Sequence, residues 1–314
     1  MRFFSRSKQS AGWLAVSVLP DGYCTAHVMR RTNAKPEVVL AAFTPAKQGD
    51  AGALGKLARD IHASRYQPTT LLNPTEYQLL LIDAPNVPPD ELKTATRWRV
   101  KDMLDYHVDD ATIDVLDIPP DKSAPARSHF MYAVAARSRL IKDRAALFEE
   151  AKLPLEVVDI PELAQRNIAV LLEPPGRGLA MLSFDANGGL LTINHAGELY
   201  LARHIEVSLA QLTEADEQQR GALHDRITLE LQRSLDHFDR QFNFISLAKL
   251  LLAPMPGQAE LKAYLASNLY IPVDTFELGD VFDLAKVPEL KQIERQPQYF
   301  LTLGAALRQE EKVL

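Results

Sequence analysis

The stretch Gly178 to Ser208 constrains the fold more than any other part of the chain. It reads as an apolar strand, a tight turn at Asp185-Ala186-Asn187-Gly188-Gly189, and a second strand at Leu190 to Ile193. A further turn at Asn194-His195-Ala196-Gly197 leads to a third strand from Glu198 to about Val207. Asn-Gly and Ala-Gly between apolar runs mark hairpins, because both residues of the first pair, and Gly in the second, tolerate the positive φ of tight turns. An Asp at the end of a strand, followed by small residues, can also set backbone N–H groups beside a carboxylate and so hold a phosphate with its metal. The same pattern serves an ordinary meander whose turn happens to begin with Asp. Spacing alone leaves both readings open.

Composition narrows the class. A chain of 314 residues is long enough for two domains. With 46% hydrophobic and 24% charged residues it is ordinary for a soluble globular protein. The net charge of −6 argues against a nucleic-acid binder, which shows a basic face. A single cysteine, Cys24, excludes an internal disulfide and a Cys-rich zinc site and fits a reducing compartment. No apolar run reaches the roughly 20 residues of a membrane helix. The opening MRFFSRSKQS lacks the apolar core of a signal peptide. Its Arg2, Phe3, Phe4, Arg6 and Lys8 either touch an anionic membrane surface or belong to a frayed end.

Along the chain the pattern predicts strands at Trp13 to Leu19, Tyr23 to Met29 and Val38 to Phe43, then a helix near Ala51 to Ser64. Strands return at Thr69 to Asn73 and Tyr77 to Ile82. Pro88-Pro89-Asp90 opens a helix to about Leu104, whose Arg97, Trp98, Arg99 and Lys101 form either a solvated basic face or a phosphate-binding surface. Strands follow at Ala111 to Ile118 and Phe130 to Ala136, separated by a polar loop from Pro119 to Ser128. Ser138 is expected to cap a helix to Ala151, and a strand at Val157 to Ile160 leads to a helix over Glu162 to Leu172. Pro174-Pro175-Gly176 breaks the chain into two units. After the three-strand stretch, Leu223, Ile227, Leu231, Leu235, Phe238 and Phe242 recur at three- and four-residue steps and predict a helix over Arg220 to Phe242. A strand at Leu247 to Leu252, a helix at Gln258 to Asn268, an extended Pro272 to Leu278 and a last helix over Tyr299 to Arg308 complete the pass. A meander followed by alternating helix and strand thus occurs twice, as two related α/β lobes would require. The eight His residues show no metal-ligand spacing, and neither a dinucleotide fingerprint nor a Gly-x-Ser-x-Gly elbow is present.

Several segments, in this order along the chain, resemble the actin-like family of type IV pilus and type II secretion assembly proteins (PilM- and GspL-like). They are Trp98-Arg99-Val100-Lys101-Asp102 with Asp105-Tyr106-His107, Val158 to Ala164 with Arg166-Asn167, Glu230 to Asp236, and Leu303 to Arg308. The resemblance is nearest to the mannose-sensitive haemagglutinin (MSHA) pilus branch. It implies an α/β, two-lobed actin-like (ASKHA/RNase H-like) fold with mixed sheets and flanking helices. The first lobe would span 11–173 plus 297–314, with a small subdomain inserted near 90–155, and the second 178–296.

In the family the cleft between lobes holds ATP and a divalent metal, and the resemblance places the second phosphate loop at Asp185, Asn187, Gly188 and Gly189, with Gly304 as a further cofactor-binding candidate. Other positions depart from the family. Ser17 and Leu19 stand at the Asp-x-Gly start of the first phosphate loop, Cys24 stands where its Lys is expected, and Ala253-Pro254 replaces the Gly-Gly on the adenosine side. Losing the carboxylate removes a metal or water ligand, and losing the Lys removes a cation that offsets phosphate charge. Leu for Gly adds bulk where backbone approaches phosphate, and Pro254 deletes an N–H.

The expectation is a non-catalytic scaffold, without a metal site, that binds a short cytoplasmic peptide of an inner-membrane assembly protein (PilN-like or MshJ-like). Such a protein would be cytoplasmic, held at the inner membrane through its partners, and able to self-associate. Strand addition or an apolar groove around Phe130 to Leu153 would receive the peptide. The rival is an ATP-dependent phosphotransferase or ATPase of the same superfold, with Asp159 or Asp185 as its base. Asp159 has the alternative task of capping the helix that follows it.

Overall fold

The computed structural model describes residues 12–88, 90–121 and 129–309. The N-terminal Arg and Phe cluster, Pro89, most of the polar loop after Pro119, and the last five residues lie outside the described residues.

The chain begins with an antiparallel meander, β1 (Trp13–Leu19), β2 (Gly22–Met29) and β3 (Glu37–Pro45), followed by helix α1 (Ala51–Asp60). Strand β4 (Gln67–Leu71) lies parallel to β1. Next come β5 (Tyr77–Asp83), α2 (Leu92–Val100), β6 (Ala111–Asp117), β7 (Phe130–Arg137) and α3 (Ser138–Glu150). Strand β8 (Val157–Asp159) pairs parallel with β4 and passes directly into α4 (Pro161–Ala169). The pattern then restarts with a second meander, β9 (Gly178–Phe184), β10 (Gly189–His195) and β11 (Glu198–Ile205). It continues through α5 (Leu209–Glu214), the long α6 (Glu217–Gln241), β12 (Leu247–Leu252), α7 (Gln258–Asn268) and β13 (Val273–Thr275). Helices α8 (Leu278–Val281) and α9 (Gln296–Ala306) close the chain.

Two five-stranded sheets share one topology. The first runs β3-β2-β1-β4-β8 and the second β11-β10-β9-β12-β13, each an antiparallel meander extended by two parallel strands. Parallel strands need a crossover, and α3 and α7 supply those nearest the sheet edges. A third sheet, β5-β7-β6, is antiparallel throughout. Its Tyr132 reaches the outer strand of the second sheet, where the hydroxyl accepts from the Ala202 N–H (3.2 Å) and donates to the Tyr200 carbonyl (3.3 Å). One side chain thereby satisfies two backbone groups of an otherwise open strand edge.

Helices α4 and α9 form the layer between the two large sheets. α4 packs on β9, β10 and β11, α9 packs on β1, β2 and β4, and the helices cross each other. At the crossing a Cβ on Gly304 would lie 2.1 Å from the Ala164 carbonyl oxygen, so no larger residue fits there without moving a helix. Asn167 reinforces the contact by donating to the Gly304 carbonyl (3.0 Å).

Local chemistry explains where the element boundaries differ from the sequence reading. Ser138 is not the cap of α3: the cap position belongs to Arg137, and the Ser138 hydroxyl pairs with Thr112 at 3.0 Å. α6 starts at Glu217, three residues before the expected Arg220, because Asp216 and Gln219 form a capping box. α5, absent from the sequence reading, is held by a second capping box between Ser208 and Gln211. α4 ends at Ala169, short of Leu172, and Asp159 does not cap it; Ile160 occupies that position without a side-chain bond. The extended Pro272 to Leu278 resolves into β13 and the start of α8. No helix among the described residues is long and apolar enough to cross a membrane.

Candidate functional site

The equivalent hairpin turns of the two meanders, together with the starts of α4 and α9, bound a cavity of about 310 Å³. β1 and its turn contribute Ser17, Leu19 and Asp21, and the β9–β10 turn contributes Asp185, Ala186 and Asn187. Pro161 opens α4, while Pro297, Gln298 and Thr302 come from α9. The size is at the small end for a ligand pocket, and most of the wall is apolar, as ligand pockets usually are. Its charged lining is Asp21, Asp185 and Glu294, with no Lys or Arg among the described residues.

Asp185 is spent largely on its own turn. Its Oδ1 accepts from the Asn187 N–H at 2.7 Å, its Oδ2 is 3.5 Å from the Asn187 amide, and its own N–H donates to the Gly188 carbonyl. A phosphate cradle needs such N–H groups free. Burial raises the Asp185 pKa, against the lowering effect of those turn bonds. Gly188 has φ +139°, and a Cβ there would stand 2.7 Å from the Ile205 carbonyl oxygen. On Gly189 a Cβ would strike Phe184 at 2.7 Å. The hairpin itself therefore demands both glycines. Gly304 sits at the helix crossing and not in the cavity lining, so the structure brings Asp185 and Asn187 to the cleft and gives Gly304 a packing task.

Ser17 and Cys24, which the resemblance sets at a first phosphate loop, are both tied to α9. The Ser17 hydroxyl bonds that of Thr302 at 2.8 Å, and the Cys24 thiol donates to the Gln298 carbonyl at 3.5 Å. Burial pushes the Cys24 thiol up to about 12, so it stays protonated. Ala253, where the resemblance expects a Gly, is buried and its N–H donates to the Leu182 carbonyl at 2.8 Å. A separate cavity of about 170 Å³ is lined by Met255, Pro256, His224 and Arg220. Among the described residues no three His, Cys, Asp or Glu side chains gather as a metal-binding group.

Asp159, the second candidate base, is buried and ion-paired with Arg308 at 2.6 Å, and it also accepts from the Ile160 N–H. Two further buried polar groups, both on α4, were not singled out by the sequence reading. Glu162 accepts from the Tyr77 hydroxyl at 2.5 Å, and burial raises the pKa of both groups. Gln165 donates to Met181, Leu190 and Thr192 and accepts from Ser183, fastening α4 to the second sheet. Trp98, by contrast, projects from α2 at 70% exposure with the Lys101 ammonium 5.7 Å from its ring centre, far from being core.

No model of a protein family matches the chain, and no curated protein does. Among solved structures, a chain of the PilM–PilN type IV pilus biogenesis complex superposes with a TM-score of 0.69 at 19% identity, over 96% of this chain and 98% of that one. The fold is actin-like. The cytoplasmic domain of EpsL, an inner-membrane component of the type II secretion system of Vibrio cholerae, aligns over 66% of this chain and 76% of its own, at 13% identity and TM-score 0.42. A Bacteroides thetaiotaomicron protein with an actin-like ATPase fold aligns over 93% and 99%, at 11% identity and TM-score 0.46. At these identities the likeness concerns the fold, and the chemistry of the cleft must be read from this chain's own residues.

Proposed function

We propose that this protein is a non-catalytic, actin-like scaffold of type IV pilus assembly, of the MSHA type that includes MshI. It would work on the cytoplasmic face, reaching the inner membrane through a PilN-like or MshJ-like partner whose short cytoplasmic peptide it binds. The observation that carries this reading is the superposition on a chain of the PilM–PilN complex along nearly the whole of both chains. Support for a peptide site comes from a groove of about 620 Å³ on the first sheet's side. Leu140 and Leu147 give it an apolar strip, and its charged rim mixes Arg137 and Arg139 with Asp143 and Glu150. These residues fall within the Phe130 to Leu153 region expected to receive the partner. We also propose the lobe division 11–173 plus 297–314 against 178–296, which agrees with α9 packing on β1 and β2.

Two features support a cleft without ATPase chemistry. The cavity lining is acidic where a triphosphate needs cations, and the Asn187 and Asp185 N–H groups of the β9–β10 turn are already used. The enzymatic alternative needs a free carboxylate base. Asp159 is bound by Arg308, and Asp185 closes its own turn. Calorimetry with the short cytoplasmic peptide of a PilN-like protein tests the scaffold reading. Binding that is lost in Arg139→Glu with Leu140→Arg is the expected result; no binding by the intact protein would overturn it.

A further inference from the structure

We propose that the three-stranded sheet is a strut between the two lobes, which holds the cleft at one opening so that the molecule does not hinge. The inference rests on the lobe division proposed above and is independent of what the protein assembles with. Lobes joined by a modest interface move relative to one another by default, and a large apolar contact between them removes that freedom. The sheet grows from the first lobe. Leu72, Asn73 and Pro74, which lead into β5, line the cavity, and Tyr77 at the start of β5 donates to Glu162 of α4. Arg144 of α3 clamps the same root, donating to Glu76 at 2.7 Å and to the Leu71 carbonyl at 3.1 Å.

Strand alternation then gives the sheet two faces with different tasks. Ile82, Met131 and Ala133 pack with Val100 of α2. Leu81 and Tyr132, each one place along its strand, turn the other way. With Leu116, Ile118 and Phe130 they join the core cluster of the second sheet, among Leu191, Tyr200 and Leu201. The Tyr132 hydroxyl completes the join at the β11 edge, accepting from Ala202 and donating to Tyr200, both of them buried residues. Separation would wet that apolar face and break both bonds at once. The α4–α9 crossing joins the lobes elsewhere, around Gly304 and in a different core cluster. Rotation about that crossing would carry β11 away from Tyr132, and the strut opposes it.

Electron–electron distance measurements on the full chain test the proposal, with spin labels on Lys56→Cys in α1 and His237→Cys in α6, both exposed positions. Cys24 is buried and stays unlabelled. A single narrow distribution is expected in the otherwise wild-type protein. Leu81→Asp with Tyr132→Phe should add a second, shifted population, and Leu81→Asp alone decides the matter if the pair does not fold. Val100→Ala loosens the sheet on its α2 face only and should leave the distribution narrow. Amide exchange at Ala202, expected to speed up about fivefold or more once its acceptor is gone, confirms release. A broad distribution without the release substitutions overturns the proposal. So does an unchanged one when Ala202 exchanges faster, or a Val100→Ala protein as broad as the released one. A second label pair inside the second lobe, Glu214→Cys with His237→Cys, should stay narrow throughout. Broadening there would overturn the lobe division and the strut with it, whereas the scaffold reading stands or falls on peptide binding.

Discussion

Gly304→Ala is the substitution whose cost follows most directly from the geometry. The new methyl would sit 2.1 Å from the Ala164 carbonyl oxygen and 2.7 Å from its carbon, both backbone atoms of α4. Ordinary contact begins near 3.4 Å, so the helices must part by roughly 1.3 Å. Close-packed interiors resist such movement, and overpacking costs about 1–3 kcal/mol, with rigid backbone on both sides favouring the upper end. Parting the helices also stretches the buried Asn167–Gly304 hydrogen bond, worth about 1 kcal/mol. Alanine returns up to about 1 kcal/mol in helix propensity. The net loss is about 3 kcal/mol, or roughly 6–12 °C in unfolding midpoint at the response of larger domains. Gly221→Ala is the control, since Gly221 lies inside α6 with nothing within 4 Å of where its new methyl would sit, and it should gain about 0.5–1 kcal/mol. Scanning calorimetry on both variants reads the difference. If both raise the midpoint equally, the close helix crossing is not real and the reasoning fails.

Three further outcomes follow. Arg308→Met leaves the buried Asp159 carboxylate without its cation and should cost about 3 kcal/mol, most of it recovered by adding Asp159→Asn; a double-mutant cycle in urea measures this. The Glu162 carboxyl, raised by burial, contributes stability that is fully present below its unfolded pKa near 4.5 and lost as pH rises through the folded value. Glu162→Gln should therefore gain on the wild type as pH rises above 4.5, and urea midpoints across pH would show it; a constant difference would contradict the burial argument. Cys24 should resist thiol reagents at pH 8 in the native state and react fully once unfolded in urea, because it is buried with its pKa pushed up to about 12.

Much of this fold was legible because its signals are local. The Asn-Gly and Ala-Gly turns announce β9, β10 and β11, and the Leu/Phe stripe announces α6, as hydrophobic period alone dictates. What failed locally was capping. Ser138 and Asp159 have the right residue type at the right place, yet each is drawn off by a partner distant in sequence, Thr112 and Arg308. The candidate site divides in the same way. That Asp185 and Asn187 form a turn could be read from spacing, and its place at a cleft only from the resemblance, whereas the Gly304–Ala164 contact joins positions about 140 residues apart and leaves no local trace. Nor can spacing reveal Tyr77 against Glu162, since the hydroxyl comes from the three-stranded sheet and the carboxyl from α4. The acidic lining of the cavity is likewise a property of assembly: Asp21, Asp185 and Glu294 come together only after both hairpins and α9 have met.

Titration calorimetry of the intact protein with Mg-ATP tests the central claim most directly. A cavity whose charged lining is all carboxylate, and whose Asn187 N–H is spent on Asp185, predicts no saturable heat at millimolar nucleotide and no difference in Asp185→Asn. Saturable binding abolished by that substitution would contradict the account.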